Sequence, residues 1–313
     1  MCIIAGEVRR VAGTKLFVMP SSDGRRQITV YSNKVDTPGA NVMCLPVPNP
    51  DSIAFETVYN DLFKDCKKSF LQPKFLSASN TLSFQDGGAV RSYLPVQNHG
   101  SYDVVVAPTL DDLDRVPPGF LTLSDDVKGY LRSNYTEKES PFGVLLCKLR
   151  PGSVEYEPFA YSHALLASGK LFVPTRHYHI ESPGSGRDAD SGVWGGAGVS
   201  LRVMDFSIMA GSRPFDDESP WLVAANRRMT SSIARAHRNS DRADDWDHEI
   251  YTALTPSTVA HNVSDRPPAD RNAINWAKMP AAYQFGAAYP LRCFERIGAG
   301  PNEDLTFPIA VSA

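Results

Sequence analysis

A chain of 313 residues with 42% hydrophobic content can bury a large core, which excludes disorder throughout. Its formal charge of −3 and pI near 6.2 supply no global field for nucleic acid or an acidic membrane, so such binding needs a local patch. Five widely spaced cysteines (Cys2, Cys44, Cys66, Cys147, Cys293), never in a CxxC pair, argue against a disulfide framework and for a reducing compartment. With no charged leader and no apolar run long enough to span a bilayer, the expectation is a soluble, cytoplasmic protein.

The first eight residues, Met1 to Val8, place a cysteine directly before an apolar strand. Removal of Met1 leaves Cys2 holding both a thiol nucleophile and an α-amine able to act as its base, the arrangement of single-residue nucleophilic catalysis. A thiol near pKa 8.5 and an α-amine of about 7.7–8.0 are matched closely enough to exchange a proton near neutral pH. The start Met1-Cys2-Ile3-Ile4 resembles the N-terminal-nucleophile (Ntn) amidohydrolases, including glutamine amidotransferase domains, over about the first 35 residues. That resemblance implies amide hydrolysis or transfer through a thioester, in a fold of two sheets between helical layers, with no cofactor required. The alternative is a small buried cysteine opening a core strand.

Thr14 to Met19 and Arg26 to Asn33 follow as strands, joined by Ser21-Ser22-Asp23-Gly24, whose Asp-Gly pair signals a hairpin turn. The pattern predicts a three-stranded meander. In that topology Cys2 and Asn33 lie at opposite ends, and Met19, Pro20, Arg26 and Gln27 become the neighbours of Cys2. Arg26 is then a candidate to hold a substrate carboxylate, against a solvated turn arginine. Val42 to Val47 reads as a strand ending in a proline-rich turn, and Asp51 or Ser52 caps a helix predicted to run to about Phe70. Cys66 lies on the apolar stripe of that helix and reads as structural.

Leu71 to Gly88 is polar, and Asn98-His99-Gly100 precedes a strand, Tyr102 to Ala107. Glutamine amidotransferases carry His-Asn-Gly in a similar place to supply oxyanion-hole donors. Here the order is swapped and the arginine-rich sequence upstream is absent, so the resemblance extends only to Asn98 and Gly100; an ordinary turn is the alternative.

Leu110 to Val116 and Ser124 to Tyr135 read as short helices. Phe142 to Leu149, Val154 to Leu165 and Leu171 to His179 follow as an antiparallel strand unit. At its end His177-Tyr178-His179 places two imidazoles on one strand face, about 6.5–7 Å apart along the backbone. With Asp247 and His248 as further donors this suits zinc or iron, against a pair of histidines bonded to loop carbonyls. Ser182 to Gly198 is rich in glycine and serine and reads as a loop.

Ser219-Pro220 opens a helix whose polar side carries Arg227, Arg228, Arg235 and Arg238. This basic face suits nucleic acid or an acidic partner, against a merely solvated surface. Thr255 to Pro280 reads as a polar surface wrap, and Ala281 to Ile297 as one or two strands. The expected architecture is a single α+β domain of largely antiparallel sheets with a few packed helices, possible as an αββα sandwich, with a loop-rich insertion around 181–245. Two functional classes stand beside the amidohydrolase: a non-enzymatic binding or structural protein of an intracellular assembly, and a metal-binding protein using the His-x-His pair.

Overall fold

The computed structural model describes residues 3–70, 93–120, 123–176, 178–181, 206–211, 262–266, 273–287, 291–297 and 304–309. Strands dominate. In chain order they are β1 Ile3–Val8, β2 Arg10–Pro20, β3 Arg26–Thr37, β4 Asn41–Pro48, β5 Ala54–Glu56, β6 Val96–His99, β7 Tyr102–Ala107 and β8 Phe142–Leu149. There follow β9 Gly152–Glu155, β10 Phe159–Ala164, β11 Lys170–Val173, β12 Tyr178–Glu181, β13 Phe206–Gly211, β14 Asn262–Arg266, β15 Leu291–Ile297 and β16 Leu305–Pro308. Among the described residues the α-helices are α1 Leu62–Phe70 and α2 Asp125–Tyr135.

One sheet has six strands in the order β12-β1-β4-β8-β7-β6; the other has eight, along β14-β15-β13-β2-β3-β10-β5 with β9 also on β3. Their inner faces meet, because alternate side chains of each strand point to opposite sides. Met43, Leu45 and Val47 of β4 and Leu145, Cys147 and Leu149 of β8 join Leu16 and Val18 of β2, Tyr31 of β3 and Tyr161 of β10 in one core. The intervening residues face outward but are buried too: Val42, Cys44, Val144 and Leu146 pack under Val127, Leu131 and Tyr135 of α2. On the far side Phe17, Met19, Ile28 and Val30 pack under Leu62, Phe63 and Cys66 of α1 together with Trp276 and Tyr283. Helical cover, sheet, sheet, helical cover is therefore the layer order, and it explains why β4 is buried along its whole length.

The third sheet is the ribbon β11-β16. Asp304 anchors it. Its carboxylate accepts bonds from the backbone N–H groups of Thr175 (3.0 Å) and Arg176 (3.1 Å), from Arg176 Nε (3.1 Å) and from the Tyr135 hydroxyl (2.7 Å). The C-terminal strand is thereby fastened both to the β11–β12 link and to the last residue of α2.

Four expectations are corrected. β1 does not extend a meander with β2; it pairs antiparallel with β4 and parallel with β12. The run from Ser52 to Phe70 is not one helix. Ala54–Glu56 is drawn off as an edge strand against β10, and the α-helix begins at Leu62. The block after Phe142 is not one antiparallel unit either, for β8, β10, β11 and β12 are divided among three sheets. Finally, Ile274, Trp276 and Met279 are buried in the outer core, not spread over the surface, because the eight-stranded sheet leaves an apolar face for them to cover. Within the expected insertion, Phe206–Gly211 is a strand between β2 and β15. No described helix is long and apolar enough to cross a membrane.

Candidate functional site

Cys2 lies outside the described residues; the chain is followed from Ile3, which faces Cys44 on β4 and Tyr178 on β12. Asn98 belongs to β6, four strands from β1, which at the usual strand spacing is about 19 Å across the sheet. Arg26 begins β3 in the other sheet. Its guanidinium donates to the Ser52 carbonyl (2.8 Å) and to Ser162 Oγ (2.9 Å), and Ser162 in turn donates to Glu56 (2.7 Å). The fold thus does not bring Asn98 and Arg26 together beside β1. The meander that made Arg26 a neighbour of Cys2 is absent, so the arginine is absorbed into a structural cluster.

His177, Asp247 and His248 lie outside the described residues, as does the side chain of His179, whose backbone belongs to β12. Arg227, Arg228, Arg235 and Arg238 also lie outside them. Among the described residues no group of three or more His, Cys, Asp or Glu side chains is gathered to hold a metal. Cys44, Cys66 and Cys147 are buried and in no disulfide, and burial pushes the Cys147 thiol well up, away from the thiolate.

Asn98 instead marks one corner of a different site. The β6–β7 hairpin turns at Gly100, whose φ of 61° is a conformation that a side chain disfavours. Asn98 faces Asp103 across the hairpin, and its amide donates to that carboxylate (3.2 Å). His99 points the opposite way, its ring stacked on Phe55 at 3.7 Å, and burial holds its imidazole below the ordinary range. One step beyond the Val104–Cys147 pair come Asp103 and Lys148 on adjacent strands. Ala40, Ser101, Asp103, Lys148, Leu149, Arg150 and Pro151 line a cavity of about 140 Å³ at this end of the sheet.

At the outer edge, β6 has β7 on one side and no described strand on the other. Tyr93 and Val96, 43% and 49% exposed, are the large apolar side chains left in solvent among the described residues; Val96 opens β6, and Tyr93 lies three residues before it. The sequence reading reached Asn98 through a motif but missed Lys148, Arg150 and the edge. Lys148 did leave a signal, as the one charge inside the apolar run Phe142 to Leu149.

No protein-family model and no curated protein matches the chain. Among solved structures it is similar to baculovirus P35, at 12% identity over 98% of this chain and 99% of that one, with a TM-score of 0.43. A mutated baculovirus P35 after caspase cleavage is similar at 12% identity, over 96% of this chain and 100% of that one, with a TM-score of 0.47.

Proposed function

We propose that this is a binding protein that takes an extended polypeptide segment as an added strand along β6. The observation that carries this reading is that Val96, 49% exposed, opens β6, the strand that among the described residues ends the six-stranded sheet, with exposed Tyr93 three residues before it. Open edges are commonly guarded by charge or proline; β6 reads Val-Gln-Asn-His, with neither inside the strand and Pro95 immediately before it. In strand addition, backbone hydrogen bonds give affinity and the alternate side chains give selectivity. Selection from a random peptide library on the immobilised protein tests it. Extended sequences with alternating apolar residues are expected to enrich, and Val96→Lys is expected to weaken them at least about tenfold, through a charge placed on the edge. No enrichment, or equal binding by a Val96→Lys protein of unchanged circular dichroism, overturns the reading.

A second reading keeps Cys2 as a nucleophile. Its support is the layer order of two sheets between helical covers, the architecture that the Ntn resemblance implies, with β1 running inside one sheet. Here Arg26 and Asn98 are not its partners, and Cys2 acts through its own α-amine. Intact mass must show loss of Met1, and amide turnover by the wild type must vanish in Cys2→Ala. A fully active Cys2→Ala protein rejects it. The same mass spectrum tests the His177 and His179 metal reading, which requires the added mass of one zinc or iron.

A further inference from the structure

We propose that the cavity between the starts of β4 and β7 and the end of β8 is a binding site for a small carboxylate that also carries a hydrogen-bond donor, an amino acid or the terminus of a polypeptide. The proposal stands apart from strand addition at β6. Three features of the cavity carry it.

The first is a pair of cations, Lys148 and Arg150, two residues apart in sequence and both lining the same cavity of about 140 Å³. Neither has a carboxylate at ion-pairing distance among the described residues. The Lys148 ammonium lies 5.7 Å from the centre of the Phe120 ring, a cation–π contact and not an ion pair. The Arg150 guanidinium makes a single long contact, 3.5 Å, to the Ser101 carbonyl. Its backbone is fixed by comparison. The Arg150 N–H donates to the Tyr156 hydroxyl (2.6 Å), and its carbonyl accepts from Thr37 Oγ1 (3.1 Å). A guanidinium with a fixed root and a free fork is suited to a planar carboxylate.

The second feature is Asp103, opposite Lys148 on β7. One of its carboxylate oxygens accepts from Asn98; the other accepts no bond from the described residues, which leaves it for a donor on the ligand. A carboxylate inside an anion site disfavours phosphate, with its higher charge and its wealth of acceptor oxygens. It favours a ligand in which a carboxylate is joined to an ammonium or an amide N–H. The third is that Asp103, Lys148 and Leu149 of the lining lie on strands inside the sheet, and Leu149 is buried.

The test is a titration of the intact protein by heteronuclear NMR with glycine, N-acetylglycine, acetate and inorganic phosphate. Glycine stands for free amino acids and N-acetylglycine for a polypeptide C-terminus. The proposal expects one of these two to give saturable shifts at the amides of Ser101, Asp103 and Leu149, several-fold tighter than acetate and tighter than phosphate. Which of the two binds tighter identifies the source. Lys148→Gln and Arg150→Gln are each expected to weaken binding about tenfold, in line with the loss of one charge-assisted bond. Asp103→Asn is expected to narrow the preference over acetate. The assignment is overturned by the absence of saturable shifts at these amides, by phosphate binding tightest, or by affinity unchanged in both cation variants. Because the wild-type shifts are themselves local, poor folding of a variant does not rescue a negative result.

Discussion

At the scale of single residues, the buried polar groups decide how this protein responds to pH and substitution. His163 is 1% exposed on β10, with Nδ1 at 2.8 Å from the Ala164 carbonyl, and burial lowers its pKa to about 4. An unfolded histidine titrates near 6.5. Above that value both states are neutral and the stability is fully present. Between about 6.5 and about 4 the unfolded chain takes up a proton that the folded one refuses, so stability falls as pH falls, by about 3 kcal/mol in all. Urea unfolding from pH 7 to pH 4.5 checks this: His163→Gln is expected to flatten the slope, and an unchanged slope contradicts the account. Arg176 poses a different case. Its side chain is 20% exposed and that of Asp304 is 9% exposed, so removal of the cation leaves a nearly buried carboxylate short of its charged partner. Arg176→Gln is expected to cost about 3 kcal/mol, towards the lower end of the range for broken buried pairs, read from the urea midpoint at constant slope.

At the scale of elements, the strands are constrained more by what lies across them than by their own composition. Gly143 is the second residue of β8, where that strand passes the end of β7. A Cβ there would stand 2.6 Å from Pro50 Cβ and 2.9 Å from the Pro108 carbonyl oxygen, and the Ala107 carbonyl also blocks it. Gly143→Ala is therefore expected to destabilise by about 3 kcal/mol or more, because backbone atoms must move, and thermal unfolding measures it. β1 makes the complementary case. Ile4 is completely buried between the two sheets, and Ile4→Ala is expected to cost about 2–5 kcal/mol, as large-to-small changes in cores do. A loss below about 0.5 kcal/mol in denaturant unfolding would mean that β1 contributes little to the core.

At the scale of the whole molecule, long-range strand pairs close the structure. β1 lies beside β12, and β2 beside β13, as parallel pairs that join residues far apart in sequence. Loop closure of that size must precede the contacts that reward it, which predicts refolding in seconds, not milliseconds, by stopped-flow fluorescence. Deletion of residues 3–8 removes a strand from inside the six-stranded sheet, so the truncated chain is expected to be recovered unfolded or aggregated.

What the sequence determined by itself is the set of local elements. The strands around Leu16, Ile28, Leu45 and Leu145, the Asp23-Gly24 turn and the short helix from Ser124 to Tyr135 were legible because periodicity and turn chemistry act over a few residues. The general class, mostly antiparallel sheets with few helices, followed from them. Only the tertiary structure decided which strands are neighbours. Hydrogen-bond ladders are alike for every strand, so nothing local told β1 to leave β2 for β4 and β12, or Phe55 to pair with β10 in place of joining α1. The same non-local choice separates Asn98 from Arg26, and it places Asp103, Lys148 and Arg150 around one cavity.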